Sequence, residues 1–338
     1  MTSEEGPSVR WGILATGSIA ATVASDLALV AGAERYAVAS RDGARARDFA
    51  LQHGFARSYG SHAALLADPD VDAVYIATPH GQHHAVASAV IEAGKPALVE
   101  KAFTCSAAAA ADLVEKARAA DVFLMEAMWL RFQPGHARVR ALVAEGAIGE
   151  VRAIHADLGF NATAAGRAEG RLTDPAAGGG ALLDCGVYVV SLAQWYLGHP
   201  STVHAVGRIG PTGVDVEAGL LLGYPNDAHA ILSCSFTTDT PGGATIVGTD
   251  GRIIIEPRLH NPRRIRLERE GLDTETIPDP RIGRGYAHEF THVGECLEAG
   301  LTESPVMPLA DTLSVMATLD AALDQIGAPH LDEGFTRP

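Results

Sequence analysis

The chain has 338 residues, 47% of them hydrophobic, which is ample for a buried core and suggests two domains. Its 26 basic and 41 acidic residues leave a net charge of −15 with no Lys/Arg cluster, which argues against nucleic acid and against an anionic membrane surface as partners. No apolar run reaches about 18 residues, so no membrane span is expected. The four cysteines (Cys105, Cys185, Cys234 and Cys296) form no Cys-x-x-Cys, and Met1–Ser8 is short and acidic without the apolar centre of a signal peptide. Both features suit a reduced cytoplasm.

The elements alternate from the start. Val9–Leu14 reads as a buried strand and runs through Ala15-Thr16-Gly17-Ser18-Ile19-Ala20 into an Ala/Val/Leu-rich helix to Val30. Strand, tight turn and helix make a dinucleotide-binding opening, in which phosphates sit against helix N-terminal amides. Ala15 and Ala20 stand where the first and third glycines usually stand, and Gly17 holds the middle. The turn by itself therefore also fits an ordinary strand–helix connection. The next strand, Glu34–Ala39, ends in Ser40-Arg41-Asp42. An acid at this strand end binds a ribose 2′-hydroxyl, whereas arginine suits a 2′-phosphate. Ser40, Arg41 and, one helical turn on, Arg45 therefore point to NADP(H) over NAD(H).

A helix over 45–53, a strand over 56–59 and a helix over 61–67 lead to the strand Val71–Ala77, which ends in Thr78-Pro79-His80-Gly81-Gln82-His83-His84. A helix to Ala93 and a strand over 96–99 follow, ending in Glu100-Lys101-Ala102. Helix 106–120 and strand 122–125 complete the run. Such alternation predicts a parallel, doubly wound sheet. Ligands of such sheets bind beyond the carboxyl ends of the strands, where Gly17, Arg41, Thr78-Pro79-His80 and Glu100-Lys101 all fall. His80 and His83 have ligand-like spacing, but no acid or cysteine cluster accompanies them, so no metal is expected.

From Met128 the pattern changes. Trp129-Leu130-Arg131-Phe132-Gln133-Pro134 leads into a helix to Glu145. Strand-like runs then cover 151–158, 203–209, 219–224, 228–236, 244–248, 252–256, 265–268 and 274–277. Few helices interrupt them, which predicts a mainly antiparallel sheet with one face covered and an open face suited to a homodimer. Helices 286–299 and 309–326 close the chain, the last expected to pack back near the first domain. The fold class expected is α/β: a Rossmann doubly wound parallel sheet over 1–127, then an α+β domain over 128–338 with a large open, mainly antiparallel sheet.

Between the two strand regions lies Gly178-Gly179-Gly180-Ala181-Leu182-Leu183-Asp184-Cys185-Gly186-Val187-Tyr188. Three glycines let a backbone approach a ligand closely. Asp184 and Tyr188, four residues apart, share one face of a helix. An acid and a phenol side by side suit a site, and equally suit a helix start above a buried tyrosine. A free phenol titrates near about 10, and an ammonium such as Lys101 nearby stabilises the phenolate. An ionised Asp184 can accept a hydrogen bond from a substrate hydroxyl. Asn161 and Arg171 precede the loop and are candidates for the substrate pocket or for ordinary surface contacts.

In this order and spacing, Trp11 through Ala20, Ala77-Thr78-Pro79-His80 through His83, Glu100-Lys101 and Gly179 through Tyr188 resemble the glucose–fructose oxidoreductase/inositol dehydrogenase (Gfo/Idh/MocA) family over most of the chain. Phe123 through Trp129, Arg131-Phe132 and Glu303 through Leu309 are similar to its dimeric dihydrodiol dehydrogenase/NADP-dependent xylose dehydrogenase branch. The resemblance implies a Rossmann domain, a substrate domain on an open antiparallel sheet, and a nicotinamide at their cleft. It implies Lys101 as catalytic lysine, Asp184 as site acid and Tyr188 as proton-transferring tyrosine. Arg41 and Arg45 are implied for the NADP phosphate, and His83 and Trp129 for the cleft. Ala15, Thr16, Gly17, Ser18, Ile19, Ser40, Ala77, Thr78, Pro79, His80, Glu100 and Lys101 itself complete the expected cofactor set. The family's usual Glu-Lys-Pro is Glu-Lys-Ala here, and Ala102 would rarely take the cis form open to proline. The implied activity is an NADP(H)-dependent oxidoreductase acting on a sugar, polyol or vicinal diol, or on the matching ketone or dicarbonyl. The same resemblance includes non-catalytic nucleotide-sensing regulators; Lys101, Asp184 and Tyr188 together argue against one. A Rossmann methyl transferase would leave Arg41 without a purpose.

Overall fold

The computed structural model describes residues 9–166 and 170–331; the acidic stretch Met1–Ser8 lies outside them. The chain clusters into two units. The first takes residues through Phe103 with Ala111–Phe132 and Arg281–Leu309; the second takes Thr104–Ala110, Gln133–Pro280 and residues from Ala310 on.

The first unit is built on six parallel strands: β1 Val9–Leu14, β2 Ala33–Ala39, β3 Arg57–Tyr59, β4 Ala73–Ile76, β5 Ala97–Glu100 and β6 Leu124–Ala127. Their order is β3-β2-β1-β4-β5-β6, so the winding reverses between β1 and β4. The helices between them are α1 Ser18–Leu27, α2 Gly43–His53, α3 His62–Leu66, α4 His80–Glu92 and α5 Ala107–Ala120. Local chemistry starts two of them. The Asp42 carboxylate accepts the Ala44 and Arg45 amides at 2.8 and 3.2 Å, and Ser61 Oγ accepts the Ala64 amide at 3.2 Å. Strand interiors such as Ile13, Val38, Val74, Ile76, Leu98 and Val99 are fully buried, as expected of a sheet covered on both faces. β6 lies two residues later than expected. Its register is set by Ala97 pairing with Leu124, which an unbroken apolar run cannot encode.

A late segment belongs to this unit. Helix α8, Ala287–Glu298, puts Phe290 edge-on to Trp11 at 4.7 Å and to Tyr75 at 5.4 Å between ring centroids. Buried Asp26 fixes the entry to α8 by accepting the Arg284 and Tyr286 amides at 2.9–3.0 Å.

The second unit carries eight strands: β7 Val151–Gly159, β8 Thr202–Ile209, β9 Asp215–Gly223, β10 His229–Ser235, β11 Ala244–Gly248, β12 Gly251–Ile255, β13 Ile265–Arg269 and β14 Glu275–Ile277. Their order is β14-β13-β12-β11-β7-β10-β9-β8. All pairs are antiparallel except β7 with β10 at the centre. The long connection between those two strands permits the parallel pairing, which period-2 alternation does not distinguish. Helices α6 Pro134–Ala144, α7 Val187–Leu197 and α9 Leu309–Ile326 complete the order. The inner face buries Ile154, Leu220, Leu222, Leu232, Ile246 and Ile253.

Helix α9 meets the start of α5, as expected, where Asp320 accepts the Ala107 amide at 2.9 Å, and it is also tied to the second unit's α7 and β8. Gln194 Nε2 donates to Thr318 Oγ1 at 2.8 Å, and Gln325 pairs with the backbone of Val203 and Ala205 at 2.9 Å. The Pro175–Leu197 stretch is, by length and mean composition alone, apolar enough to cross a membrane, although Asp184 interrupts it. However, 89% of its most apolar window is buried inside the protein, as in a core helix.

Candidate active site

The β1–α1 turn is shaped for a nucleotide. Ala15 has φ +103°, a region that glycine takes easily and other residues avoid, so the turn keeps a glycine-like path without the glycine. Helix α1 has no side-chain cap and no acid in its first turn, which leaves its N-terminal amides available to phosphate. A Cβ on Gly17 would meet nothing within 4 Å. Ala20 is fully buried in the third-glycine position. Thr16, Ser18 and Ile19 flank Gly17 in this turn.

Ser40, Arg41 and Arg45 follow the carboxyl end of β2. Both arginines are exposed, and among the described residues neither is engaged in an ion pair. At the end of β4, Ala77 and Thr78 are buried and Pro79 precedes α4. Among the described residues, the buried Thr78 Oγ1 has no hydrogen-bond partner. An uncapped helix start, two unpaired cations and an orphaned hydroxyl, all at strand carboxyl ends, fit a nicotinamide dinucleotide.

Lys101 follows β5 and is held from several sides. The Lys101–Ala102 peptide is cis. His80 Nε2 donates to the Lys101 carbonyl at 3.0 Å. The Lys101 amide donates to Glu100 Oε2 at 3.1 Å, while the Tyr75 hydroxyl donates to Glu100 Oε1. Glu100, expected among the cofactor contacts, thus secures Lys101's own backbone.

His83, also expected to touch the cofactor, is completely enclosed. Its Nδ1 faces the Ala102 carbonyl at 2.9 Å and its Nε2 the Thr78 carbonyl at 2.8 Å, leaving no ring nitrogen for a ligand. Burial pushes the His83 pKa down, so the ring is neutral and donates to one carbonyl at a time. Two neighbours were not legible in the sequence. Glu289 of α8 is fully buried, and burial followed by the Glu100 charge pushes its pKa up, which favours a neutral carboxyl. Tyr286 stacks on Trp129 at 4.1 Å between centroids, with the ring planes 4° apart.

In the second unit, the glycine loop lies over Leu172 and Asp215. A Cβ on Gly179 would come within 2.7 Å of the Leu172 carbonyl oxygen. Gly180 has φ +127°, and a Cβ there would sit 2.2 Å from Asp215 Oδ1. Residues Leu182–Gly186 then form a π-turn before α7 begins, a feature that often marks functional sites. Asp184 lies in this turn and Tyr188 in the first turn of α7. Arg171 donates through both terminal nitrogens to Asp184 Oδ1 at 3.2 Å; the Asp184 side chain is 12% exposed and the Arg171 side chain 51%.

Tyr188 is 7% exposed and stacks against His260, with centroids 5.0 Å apart and planes at 28°. Asn161 serves a local turn instead: its Oδ1 accepts the Ala164 amide at 3.0 Å, and its own amide donates to Asp239. Neither His260 nor Asp215 carried a signal in the sequence, since each meets its partner across a long stretch of chain. Among the described residues, no group of three or more His, Cys, Asp or Glu could hold a metal ion.

Residues 9–128 match the model of an oxidoreductase family with an NAD-binding Rossmann fold, GFO_IDH_MocA, and residues 136–254 match the GFO/IDH/MocA C-terminal domain. The chain is 38% identical over 331 residues to trans-1,2-dihydrobenzene-1,2-diol dehydrogenase of Mus musculus, an alignment covering 94% of this chain and 97% of that one. It is 35% identical over 328 residues to the Homo sapiens protein of the same name, with the same shares covered. Among solved structures, a 3-ketoreductase from Actinomadura kijaniata in complex with NADP and TDP-benzene is similar with a TM-score of 0.83 at 27% identity, over 94% of this chain and 98% of that one.

Proposed function

The chain belongs to the Gfo/Idh/MocA family of oxidoreductases, and from that premise we propose that it is an NADP(H)-dependent enzyme acting on a sugar, polyol or vicinal diol, or on the corresponding carbonyl. The observation that carries this reading is Lys101, held by Glu100 and His80 at a strand carboxyl end in a nicotinamide-binding fold. The nicotinamide, when bound, accepts or supplies the hydride. Tyr188 takes the carbinol proton as the carbon gives up its hydride, and returns that proton in the reverse direction. The Lys101 ammonium favours the phenolate that this step requires. Asp184 accepts a hydrogen bond from a neighbouring substrate hydroxyl and fixes the sugar or diol in orientation. Arg171, paired with Asp184 and half exposed, lines the same substrate end. Trp129 is counted with the substrate residues.

The test is a panel of aldoses, polyols, trans-1,2-dihydrobenzene-1,2-diol and dicarbonyls, assayed with NADP(H) and NAD(H). Turnover of a hydroxyl or carbonyl compound supports the reading. Tight NADPH binding without any turnover supports a nucleotide-sensing protein of the same fold instead.

Cofactor choice rests on Arg41 and Arg45. The Arg41→Ala change is expected to raise the KM for NADP⁺ by about 10–100-fold, the scale of one hydrogen bond between charged groups. The KM for NAD⁺ should stay near wild type. Steady-state kinetics with both cofactors checks this, and equal shifts in the two KM values contradict it.

The outer face of the large sheet is proposed as the homodimer surface. Across it run His204, Leu221, Ile231, His155, Thr245 and Ile254 in register on successive strands. Leu221 is 47% and Ile231 50% exposed, and Arg208–Glu217 and Arg252–Glu268 pairs flank this row. Light scattering is expected to give a wild-type dimer and a monomeric Ile231→Lys variant; a wild-type monomer contradicts the assignment.

A further inference from the structure

Asp215 opens β9, yet its carboxylate serves the segment that carries Asp184 and Tyr188. Its Oδ2 accepts the Leu182 amide at 2.7 Å, at the first residue of the π-turn. Its Oδ1 lies where a Cβ on Gly180 would come within 2.2 Å, so the two residues are mutually fitted. The Gly180 carbonyl in turn accepts the Asp184 amide at 3.1 Å. A short chain of contacts therefore runs from Asp215 through the glycine loop to Asp184, with Tyr188 one turn further on. Asp215 is 2% exposed and faces backbone donors, so its geometry asks for an acceptor-only group, which among side chains is an ionised carboxylate.

We propose that Asp215 is a positioning residue of the reaction: its ionised carboxylate holds the start of the π-turn in the register that presents Asp184 and Tyr188 to substrate, and its protonation releases that register. The proposal rests on the oxidoreductase reading above. A protonated carboxyl turns one oxygen into a donor facing amide donors and so gives up at least one of these hydrogen bonds.

Burial pushes the Asp215 pKa up to about 6, against the opposing effect of the Leu182, Asp215 and Ala181 amides. Facing it from β10 is the buried Cys234 thiol, with Cys185 of the π-turn beyond. On β8 and β9, Arg208 and Glu217 pair with each other at 2.8 Å. A raised carboxyl contributes stability below its ordinary value, and that contribution is lost as pH rises through about 6. The charged form is therefore the less stable form and, on this proposal, the active one.

The test compares wild type and Asp215→Asn between about pH 5 and 9, with NADP⁺ and either trans-1,2-dihydrobenzene-1,2-diol or D-xylose as probes. Asparagine keeps the shape but turns an NH₂ donor toward the same amides, so it mimics the protonated state. Wild-type kcat is expected to fall on the acid side near the Asp215 pKa. The variant should lack that limb and show a kcat at about pH 8 lower by about tenfold, the scale of one lost hydrogen bond to a charged group. NADPH affinity, read by fluorescence, should not change. In the intact wild-type protein, the Asp215 carboxyl ¹³C resonance should titrate with the same midpoint as the kcat limb.

A retained acid limb in the variant, or a carboxyl that titrates elsewhere, overturns the proposal. Absence of turnover with every probe in both proteins defeats the oxidoreductase reading. The difference in Tm between wild type and variant, expected to shift in favour of the variant as pH rises through that midpoint, still reads the charge of Asp215.

Discussion

Exchanging Lys101 for alanine is expected to lower kcat by about a thousandfold, the combined scale of a lost proton-transfer partner and a lost charge beside the reacting oxygen. NADPH should still bind, because the uncapped α1 turn, Arg41 and the Thr78 segment are untouched. Stability should change little, since Lys101 is half-buried and its backbone is held through Glu100 and His80. Pre-steady-state kinetics with NADP⁺ at saturation, together with a fluorescence titration of NADPH, separates the two effects. A variant with near-wild-type kcat removes Lys101 from the chemistry.

Tyr188→Phe is expected to cost a similar factor, about a hundred- to ten-thousandfold in kcat. This change is the more selective of the two. Phenylalanine keeps the ring against His260 and loses only the hydroxyl, so packing within the second unit is preserved. Cofactor affinity should be unaffected. If the two side chains act as one device, the double variant should be no slower than the slower single variant, as expected for groups that share a role. Additive losses would separate them, and wild-type turnover by Tyr188→Phe would leave the glycine-loop helix without its assigned function.

Much of the frame can be read from local chemistry. Apolar strands ending in Gly17, Arg41, Thr78 and Lys101 alternate with helices whose starts are marked by Asp42 and Ser61, and the parallel sheet follows from that alternation. The glycine loop before Asp184 and Tyr188 is equally legible, because Gly180 must take φ +127° and fit against Asp215. What escapes is whatever depends on distant partners. Asp215 meets Leu182 across 33 residues, and His260 reaches Tyr188 from a loop with no periodic signal. The central parallel pair, β7 with β10, looks in sequence like any other alternating strands. Helix α8 follows the strands of the second unit in sequence yet packs its Phe290 on Trp11 and Tyr75 of the first.

Residue type also predicts less than partnership. His83 and Glu100 have the chemistry of cofactor ligands, yet their polar atoms are occupied by backbone carbonyls, an amide and a tyrosine hydroxyl. Arg171 looked like a surface residue or a substrate contact, and it pairs with Asp184 at 3.2 Å.

The central claim is that this protein moves hydride between a nicotinamide and a carbinol carbon. The most direct measurement gives it NADP⁺ and trans-1,2-dihydrobenzene-1,2-diol, or D-xylose in parallel, with deuterium on the carbinol carbon, and reads the recovered NADPH by mass spectrometry. The account predicts NADPH carrying one deuterium on its nicotinamide ring, with formation lost in Tyr188→Phe. NADPH that binds but never acquires the label from either compound, or from any member of the sugar and diol panel, would contradict it.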